Sequence, residues 1–310
     1  MRRRLLFLSL LLSASMLAAG STGAGAAKAA QAAASYPITL KTANGSLVID
    51  ARPKRILSLS ASATQMLYAI GAGPQVVGVD TYSSYPANSP RTSFTGAETN
   101  AEVYLAKHPD LVVLAYDSSH LVAQLQKLKV PAIVLGAAAN VAAAEAQITE
   151  LGKITGHTGG AAKANASLNT ALAHVVHPIA GKAKGDTYYV ELDPTFYSAT
   201  SQSFIGALFS ELGMTNVADP AGKGSAYPQL SAEYLVKANP RYVFLADTVC
   251  CGQSAATFAR RPGLSGLSAV AHHHVVGVND SLASEWGPHT MVAFLEEIAN
   301  TVDPSAFKAG

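Results

Sequence analysis

The sequence predicts an α/β fold made of two similar lobes joined by a long helical connection. Apolar runs typical of buried strands alternate with helical patterns in two separate sets, an Ala-rich stretch lies between the sets, and one helix-to-strand unit occurs twice. With 310 residues, of which 49% are hydrophobic, the chain is long enough for roughly two domains.

Each set of strand-like runs is apolar on both faces, which is typical of a parallel sheet covered by helices on both sides. The first set predicts strands over residues 55–60, 75–80, 110–115 and 131–136, and helices over "SATQMLYAIGA" and "SSHLVAQLQKLK". The second set predicts strands over residues 187–192, 242–246 and 274–279, and helices over "SFIGALFSELG", "SAEYLVKAN" and "PHTMVAFLEEIANTV". We therefore expect one lobe over residues 35–139 and another over residues 182–310.

Residues 140–181 connect the two lobes. The stretch is rich in alanine and has apolar residues at helical spacing, whereas a flexible linker would contain more Gly, Ser and Pro. Gly159 and Gly160 interrupt the pattern, and Pro178 is placed to end it. We expect one stiff linker helix over this range.

The first 34 residues have the pattern of a secretion signal followed by a leader of small residues. Arg2, Arg3 and Arg4 precede a short apolar run, and small residues follow it. Ser21 stands where a lipidated cysteine would be expected, so the sequence does not support a lipid anchor. We expect the mature chain to lie outside the cytoplasm, in the periplasm or the cell envelope. A formal charge of only +2, without a basic patch, argues against a nucleic-acid partner.

The two cysteines, Cys250 and Cys251, are neighbours in the chain. Disulfides are usual outside the cytoplasm, but neighbouring residues cannot close a long loop. The sequence leaves open whether they form a vicinal disulfide or remain thiols.

The helix-to-strand unit "AEVYLAKHPDLVVLA" recurs as "AEYLVKANPRYVFLA" 131 residues later, without a gap. Asn100 and Ser231 precede the two copies and are suited to cap the helices, which places Glu102 and Glu233 in the first helical turn. The helix dipole stabilises a glutamate there by about 0.3–1 kcal/mol. This effect explains each glutamate separately, but not why both lobes have one.

The segment "RILSLSASATQMLYAIGAGPQVVGVDTYSSYP" resembles the opening of bacterial substrate-binding proteins for cobalamin, haem and ferric siderophores, the extracytoplasmic receptors of ABC importers. "NAEVYLAKHPDLVVLA", "SFIGALFSELG", "YPQLSAEYLVKANPRYVFLA" and "RPGLSGLSAV" follow in the order of that family, so the resemblance covers residues 36–304.

The resemblance implies two Rossmann-like lobes joined by one long rigid helix, with a ligand cleft between the lobes. It also implies a partner, the dimeric permease with its ATPase subunits. Glu102 and Glu233 would dock onto arginines of the two permease subunits, where exposed charge pairs steer the encounter and fix the register.

Ligands of open α/β sheets meet the loops beyond the carboxyl ends of the strands. In this chain those loops are rich in aromatic residues with polar tips, which suit a large, flat, partly polar ligand. The predicted ligand-binding residues are Ser62, Tyr82, Tyr85, Tyr116, Asp117, Phe196, Tyr197, Thr248 and Trp286.

The same loops contain few Arg or Lys residues, although an anionic ligand would need cations. We therefore expect a near-neutral ligand, either a corrinoid or a ferric siderophore. Such a ligand carries its own cobalt or iron, and we expect no resident cofactor. Haem is less suitable because its propionates need cations, although Tyr82 or Tyr116 could supply an axial ligand.

Two other classes of function have less support in the sequence. His272 and His274 share a strand face, but the other histidines lie at no ligand spacing, so a receptor for a bare metal ion is disfavoured. A hydrolase with a Gly-x-Ser-x-Gly turn would need glycines that "SLSASAT" lacks. We expect a monomeric binding protein without catalytic turnover.

Overall fold

The computed structural model describes residues 36–42 and 45–306, which belong to one compact unit. The predicted secretion signal lies outside the described residues. The described part begins with an antiparallel hairpin of β1 (Ile38–Thr42) and β2 (Gly45–Ile49), which the sequence analysis did not predict.

The first lobe is an α/β unit with a four-stranded sheet. Its elements in chain order are β3 (Ile56–Leu59), α1 (Ala61–Ala69), β4 (Val76–Val79), β5 (Leu111–Leu114), α2 (Leu121–Lys127) and β6 (Ala132–Val134). Short 3₁₀ helices lie at Gly73–Gln75, Ala101–Lys107 and Ser118–His120. All four strands are parallel, in the order β4-β3-β5-β6, as the apolar runs predicted.

Two helices follow the first lobe where one had been predicted. They are α3 (Val141–Thr155) and α4 (Thr158–Ala183), and they pack against each other. Gly156 ends α3 because it takes the left-handed conformation, with φ at 74°. The long helix implied by the family resemblance is α4 alone. Gly159 and Gly160 lie in its first turn, and it continues through Pro178 to Ala183.

The second lobe is also an α/β unit, built on a second four-stranded sheet. Its elements are β7 (Thr187–Glu191), α5 (Phe204–Glu211), β8 (Thr215–Asn216), α6 (Asp219–Gly222), α7 (Ala232–Ala238), β9 (Tyr242–Leu245), α8 (Thr248–Cys251), α9 (Ala255–Ala259), a 3₁₀ helix at Leu264–Gly266, α10 (Ser268–Ala271), β10 (Val275–Gly277), α11 (Asp280–Ser284) and α12 (Pro288–Val302). The strands are parallel in the order β10-β9-β7-β8.

One continuous apolar core joins the two lobes. It contains the inner faces of both sheets together with buried residues of α1, α3, α4, α5 and α12. The outer face of the first sheet is covered by α2 and the 3₁₀ helix at Ala101–Lys107, and that of the second sheet by α7, α9 and α10. Both sheets are therefore covered on both sides, as predicted. Because one face of α4 is buried in the shared core from Ala161 to Ala183, the connection between the lobes is packed against both of them.

Gly160 allows α4 to lie directly against the end of α1. A Cβ atom at this position would lie 1.9 Å from the carbonyl oxygen of Ile70, a backbone atom that cannot rotate away. Gly181, in the same helix, would meet nothing within 4 Å. The two glycines therefore offer a matched pair of substitutions in one helix.

We expect Gly160→Ala to lower the free energy of unfolding by about 1–3 kcal/mol or more, because the added methyl group overpacks the contact between the helices. Gly181→Ala should raise it by up to about 1 kcal/mol, because alanine is the better helix former. Urea denaturation followed by circular dichroism measures both changes. A stabilising effect of both substitutions would show that Gly160 is not needed for close packing.

Candidate functional site

A cleft of about 440 Å³ lies where the second lobe meets the first, at the carboxyl ends of the strands, and ten of its eleven lining residues belong to the second lobe. Leu192 and Ala246 directly follow β7 and β9, and Ala137 comes from the loop after β6 in the other lobe. The lining residues are Ala137, Leu192, Phe204, Ile205, Tyr227, Ala246, Cys250, Asp280, Ala283, Ser284 and Trp286. The site thus lies where open parallel sheets usually bind ligands.

Asp280 organises one wall of the cleft. Its carboxylate accepts hydrogen bonds from the backbone N–H groups of Thr248 (3.1 Å), Val249 (2.9 Å) and Cys250 (3.0 Å), and from the Thr248 hydroxyl (2.9 Å). Burial alone would raise the pKa of Asp280, but these hydrogen bonds outweigh burial and lower it. The carboxylate is therefore ionised at neutral pH and fixes α8 against α11.

Two buried carboxyl groups lie behind the wall, at the ends of β7 and β9. Glu191 is fully buried and accepts two hydrogen bonds from the Arg261 guanidinium, at 2.8 and 2.7 Å. Asp247 is also fully buried. Among the described residues no N–H or hydroxyl group donates to its oxygens, and its carboxyl interacts with that of Glu191.

Burial and the neighbouring Glu191 raise the pKa of Asp247 to about 7. Burial also raises the pKa of Glu191, but the Arg261 guanidinium opposes that shift. One arginine cannot neutralise two carboxylates, so Asp247 is protonated below neutral pH and about half-ionised near pH 7.

Trp286 connects the cleft to the first lobe. Its backbone N–H donates to the Ser62 hydroxyl at 3.0 Å, and its indole N–H donates to the Gln147 side chain at 2.8 Å. The preceding Glu285 accepts a hydrogen bond from Gln65 at 2.8 Å. Burial, with a further contribution from Asp80, raises the pKa of Glu285 to about 7. The only tryptophan of the chain therefore lies at the junction of the lobes.

Four of the residues predicted to bind ligand lie at the cleft or at the same edge of the sheets. Trp286 lines the cleft. Tyr82, Tyr116 and Tyr197 are exposed and follow the carboxyl ends of β4, β5 and β7. The structure thus brings aromatic side chains from both lobes to one edge of the molecule.

Tyr85 lies on a different surface. Its ring stacks on His289 with a centroid distance of 3.9 Å, and both line a groove of about 580 Å³ between α1, α4 and α12. The position of Tyr85 in the loop after β4 gave no indication that it lines this groove.

The other four predicted ligand residues make hydrogen bonds or packing contacts within the protein. The Ser62 hydroxyl is buried against Trp286, Asp117 accepts from the N–H of Val122 at 2.9 Å, and Thr248 donates to Asp280. Phe196 has a φ of 70°, and its ring packs against the outer core of the second lobe, 5.6 Å from the Arg261 guanidinium. A role in ligand binding stays a prediction for these residues.

Of the eleven lining residues only Trp286 was predicted to bind ligand, and Tyr227 and Asp280 are among those that sequence reasoning missed. Tyr227 precedes a helix and does not directly follow a strand, but its segment pairs with the one after β7, through hydrogen bonds from Ser198 to Pro228 and from Thr200 to Ala226. The order of α7 and β9 could have revealed Tyr227. Because α7 runs antiparallel to β9, the segment before α7 lies at the carboxyl end of β9.

Cys250 and Cys251 are joined by a disulfide, and Cys250 lines the cleft. The alternative of two thiols, which the sequence had left open, is not the form that the structure contains.

The repeated glutamates are both exposed at the start of a helix. Asn100 caps the first helix by accepting from the N–H of Glu102 at 2.9 Å, and Ser231 caps α7 by accepting from Tyr234 at 3.2 Å. Each helix runs antiparallel to the strand that follows it, so Glu102 and Glu233 lie at the carboxyl edge of their sheets, the same edge as the cleft.

Two further properties bear on the class of function. Among the described residues, no group of three or more His, Cys, Asp or Glu side chains is placed to hold a metal ion. None of the helices in residues 36–42 and 45–306 is both long and apolar enough to span a bilayer.

Comparison with known proteins adds sequence evidence to this geometry. A family model described as periplasmic binding protein matches residues 56–282. An uncharacterized ABC transporter substrate-binding lipoprotein of Bacillus subtilis is 30% identical, over 99% of this chain and 99% of its own. A cobalamin-binding protein of Halobacterium salinarum is 29% identical, over 84% of this chain and 72% of its own.

Solved structures show the same fold. The periplasmic heme-binding protein RhuT of Roseiflexus sp. RS-1, in its apo form, superposes with a TM-score of 0.71 at 20% identity. The match covers 82% of this chain and 99% of RhuT.

The raised pKa of Asp247 gives a prediction with a definite sign. Its pKa is raised in the folded state, so the folded protein binds more protons than the unfolded chain between about pH 4 and pH 7, and stability falls as pH rises through that window. Asp247→Asn can donate a hydrogen bond to Glu191 and should raise the free energy of unfolding at pH 8 by about 1–3 kcal/mol. Urea denaturation between pH 4 and pH 8 measures the effect, which should shrink toward pH 4.

Asp280→Asn is the control with the opposite sign. The pKa of Asp280 is lowered in the folded state, so its contribution to stability is present above about pH 4 and is lost as pH falls. We expect this variant to be destabilised at pH 8. Destabilisation of both variants at pH 8 would show that Asp247 is ionised and favourably paired.

Proposed function

This chain belongs to the periplasmic binding protein family, and we propose that it is the extracytoplasmic receptor of an ABC importer for a corrinoid of the cobalamin class. Its task is to capture the ligand in the cleft and deliver it unchanged to the permease, which requires no catalytic turnover. The Halobacterium relative, which is described as a cobalamin-binding protein, supports this choice of ligand.

The lining of the cleft is the observation that carries the proposal. Among the described lining residues there is no Arg, Lys or His, and most side chains are apolar. The one carboxylate, Asp280, is already occupied by four hydrogen bonds from α8. Such a lining favours a large ligand with apolar surface and little net charge, because an anion would meet no compensating cation.

Tyrosines at the carboxyl edge suit the polar groups of the same ligand. Tyr82 and Tyr116 come from the first lobe, and Tyr197 and Tyr227 come from the second. Corrinoids have amide side chains around a flat ring, and phenol hydroxyls can donate to amides and accept from them while the rings cover apolar surface. A ligand larger than the cleft would extend over these residues.

Two other classes of ligand, siderophores and haem, are compared with the corrinoid in the binding experiment below. A neutral ferric hydroxamate siderophore satisfies the same charge argument. Haem fits the lining less well, because its two propionates would lie among apolar side chains, although the exposed hydroxyls of Tyr82 and Tyr116 are chemically able to ligate iron.

We expect cyanocobalamin to quench the fluorescence of Trp286 and to bind more tightly than haemin or a neutral ferric trihydroxamate. Tyr227→Ala should weaken cyanocobalamin binding about tenfold, or about 1.4 kcal/mol, because it removes an aromatic wall of the cleft. Tyr85→Ala is the matched control: the two tyrosines are similarly exposed, at 47% and 44%, but Tyr85 faces the other groove. Isothermal titration calorimetry measures both affinities.

Preferential binding of haemin or of the siderophore would overturn the corrinoid assignment. Equal losses in the two tyrosine variants would place the ligand outside the described cleft. Chemical conversion of the ligand by the purified protein would contradict a receptor function.

The repeated glutamates supply the proposed contact with the permease. Glu102 and Glu233 are exposed at the edge that carries the cleft, and each is near an exposed valine, Val103 in one lobe and Val236 in the other. One glutamate per lobe matches a permease of two equivalent subunits. The caps explain why a helix begins at each of these positions. Docking to the permease would explain why both lobes have a glutamate in the first turn.

We expect the double variant Glu102→Gln and Glu233→Gln to keep its ligand affinity but to bind the reconstituted permease–ATPase complex more weakly, with a smaller dependence on salt. Exposed charge pairs are screened over about 10 Å at 0.1 M salt, so wild-type association should weaken as salt rises. The control double variant Glu211→Gln and Glu296→Gln removes the same charge from two other exposed positions. If the wild type and both double variants bind the permease complex with equal affinity and equal dependence on salt, Glu102 and Glu233 do not dock to the permease. Their role is then limited to stabilising the first helical turn.

A further inference from the structure

The disulfide between Cys250 and Cys251 closes no loop, and its place in the fold calls for another role. A disulfide stabilises a protein mainly by restricting the unfolded chain, and the effect grows with the number of residues enclosed. Neighbouring cysteines enclose none, so the stabilisation from this source is negligible. Cys250 nevertheless lines the cleft between the lobes.

The disulfide lies in an exposed segment, residues 248–252, here called the disulfide tip. Both cysteines are exposed, and the adjacent Val249 has 82% of its surface exposed, the highest value among the large apolar residues that are exposed in the described chain. Thiol–disulfide exchange requires that a thiolate reach one of the sulfur atoms, and exposed disulfides are the labile ones. The disulfide tip is therefore open to attack from solvent.

The disulfide tip is connected to the rest of the cleft wall through Asp280. Three consecutive N–H groups, those of Thr248, Val249 and Cys250, donate to its carboxylate. Asp280 is the first residue of α11, whose Ala283 and Ser284 line the cleft, as does Trp286 just beyond it. A change in the backbone of the disulfide tip must alter these hydrogen bonds. It must therefore also alter the position of α11 and of the cleft wall between Asp280 and Trp286.

We propose that Cys250–Cys251 is a thiol-exchange site whose oxidation state sets the shape of the cleft wall and the affinity for the ligand. The co-reactant is a dithiol, a small molecule or a protein. One thiolate of the dithiol attacks a cysteine sulfur, which breaks the S–S bond and forms a mixed disulfide. The second thiolate then displaces the protein sulfur. The dithiol is oxidised to a disulfide, and the protein gains two electrons and two protons as two thiols.

The oxidised form is expected to bind ligand more tightly. The S–S bond restrains the backbone of residues 250 and 251, and Cys250 lies in the cleft wall. Reduction releases both side chains and lets the three hydrogen bonds to Asp280 open more often. Linkage requires the reverse effect as well: the ligand must make the disulfide harder to reduce by the same factor. A tenfold difference in affinity corresponds to about 30 mV in the reduction potential.

The test compares the oxidised full-length mature protein, the same protein reduced with dithiothreitol and then desalted without oxygen, and the double variant Cys250→Ser and Cys251→Ser. Thiol counting follows the reduction, and calorimetry with cyanocobalamin gives the affinities. We expect two thiols per folded chain after reduction and about tenfold weaker binding in the reduced and double-serine forms, restored by reoxidation of the wild type. In dithiothreitol redox buffers, saturating cyanocobalamin should lower the potential by about 30 mV.

This inference rests on the proposed function only for the identity of the ligand, so a second readout is independent of it. Hydrogen exchange of residues 248–251 and 280–286 should be faster in the reduced and double-serine forms, while exchange of Leu121–Lys127 in the first lobe stays unchanged.

If no form binds cyanocobalamin, the corrinoid assignment fails, and the exchange data alone decide the redox proposal. The proposal is overturned if the folded protein releases no thiols, if the exchange rates of the three forms agree, or if all forms bind cyanocobalamin equally.

Discussion

The relative position of the lobes depends on a small set of hydrogen bonds between α1 and residues 285–290, which include the start of α12. The buried Gln65 donates to Glu285 and accepts from both the backbone and the hydroxyl of Thr290, and Ser62 accepts from Trp286. Buried polar groups that lose their partners cost about 1–3 kcal/mol each, so this junction tolerates few alternatives. The cleft exists between the lobes because the junction and the core around α4 hold them in one arrangement.

The electrostatics behind the cleft agree with its apolar lining. Asp247 lies behind one wall and Glu285 lies at the junction, and burial raises the pKa of each to about 7. Both groups are therefore largely protonated in mildly acidic conditions and only partly ionised at neutral pH, while Arg261 is paired with Glu191. The site presents little positive charge to a ligand even from the residues beneath its surface. A strongly anionic ligand would be repelled as these carboxyl groups ionise, which is a second reason to favour a near-neutral one.

The sequence predicted seven of the eight strands in the two parallel sheets because apolar runs on both faces have few other uses in a folded domain, and it missed the two-residue strand β8. It failed where single residues decide the backbone: Gly156 takes a left-handed conformation that splits the linker, and the half-exposed β1–β2 hairpin has no strong apolar run. For the site, strand order located the correct edge, but not the direction of each side chain. Phe196 packs against the outer core of the second lobe, and Ser62 is covered by a tryptophan 224 residues away in the chain. No local pattern encodes either contact.

Parallel sheets explain why the cleft and the repeated glutamates share an edge. The loop after each strand lies at the carboxyl edge of the sheet. A helix that leads into the next strand runs antiparallel to it, so the helix begins at the same edge. The ligand loops and the capped helix starts are therefore brought together there in each lobe. The shared core along α4 opposes large movements of one lobe against the other. If Glu102 and Glu233 dock as proposed, the mouth of the cleft already faces the permease when the receptor arrives. Release of the ligand would then depend on the permease separating the lobes at the Gln65–Glu285 junction, where the contacts are hydrogen bonds. The apolar contacts of α4 belong to the continuous core and would stay closed.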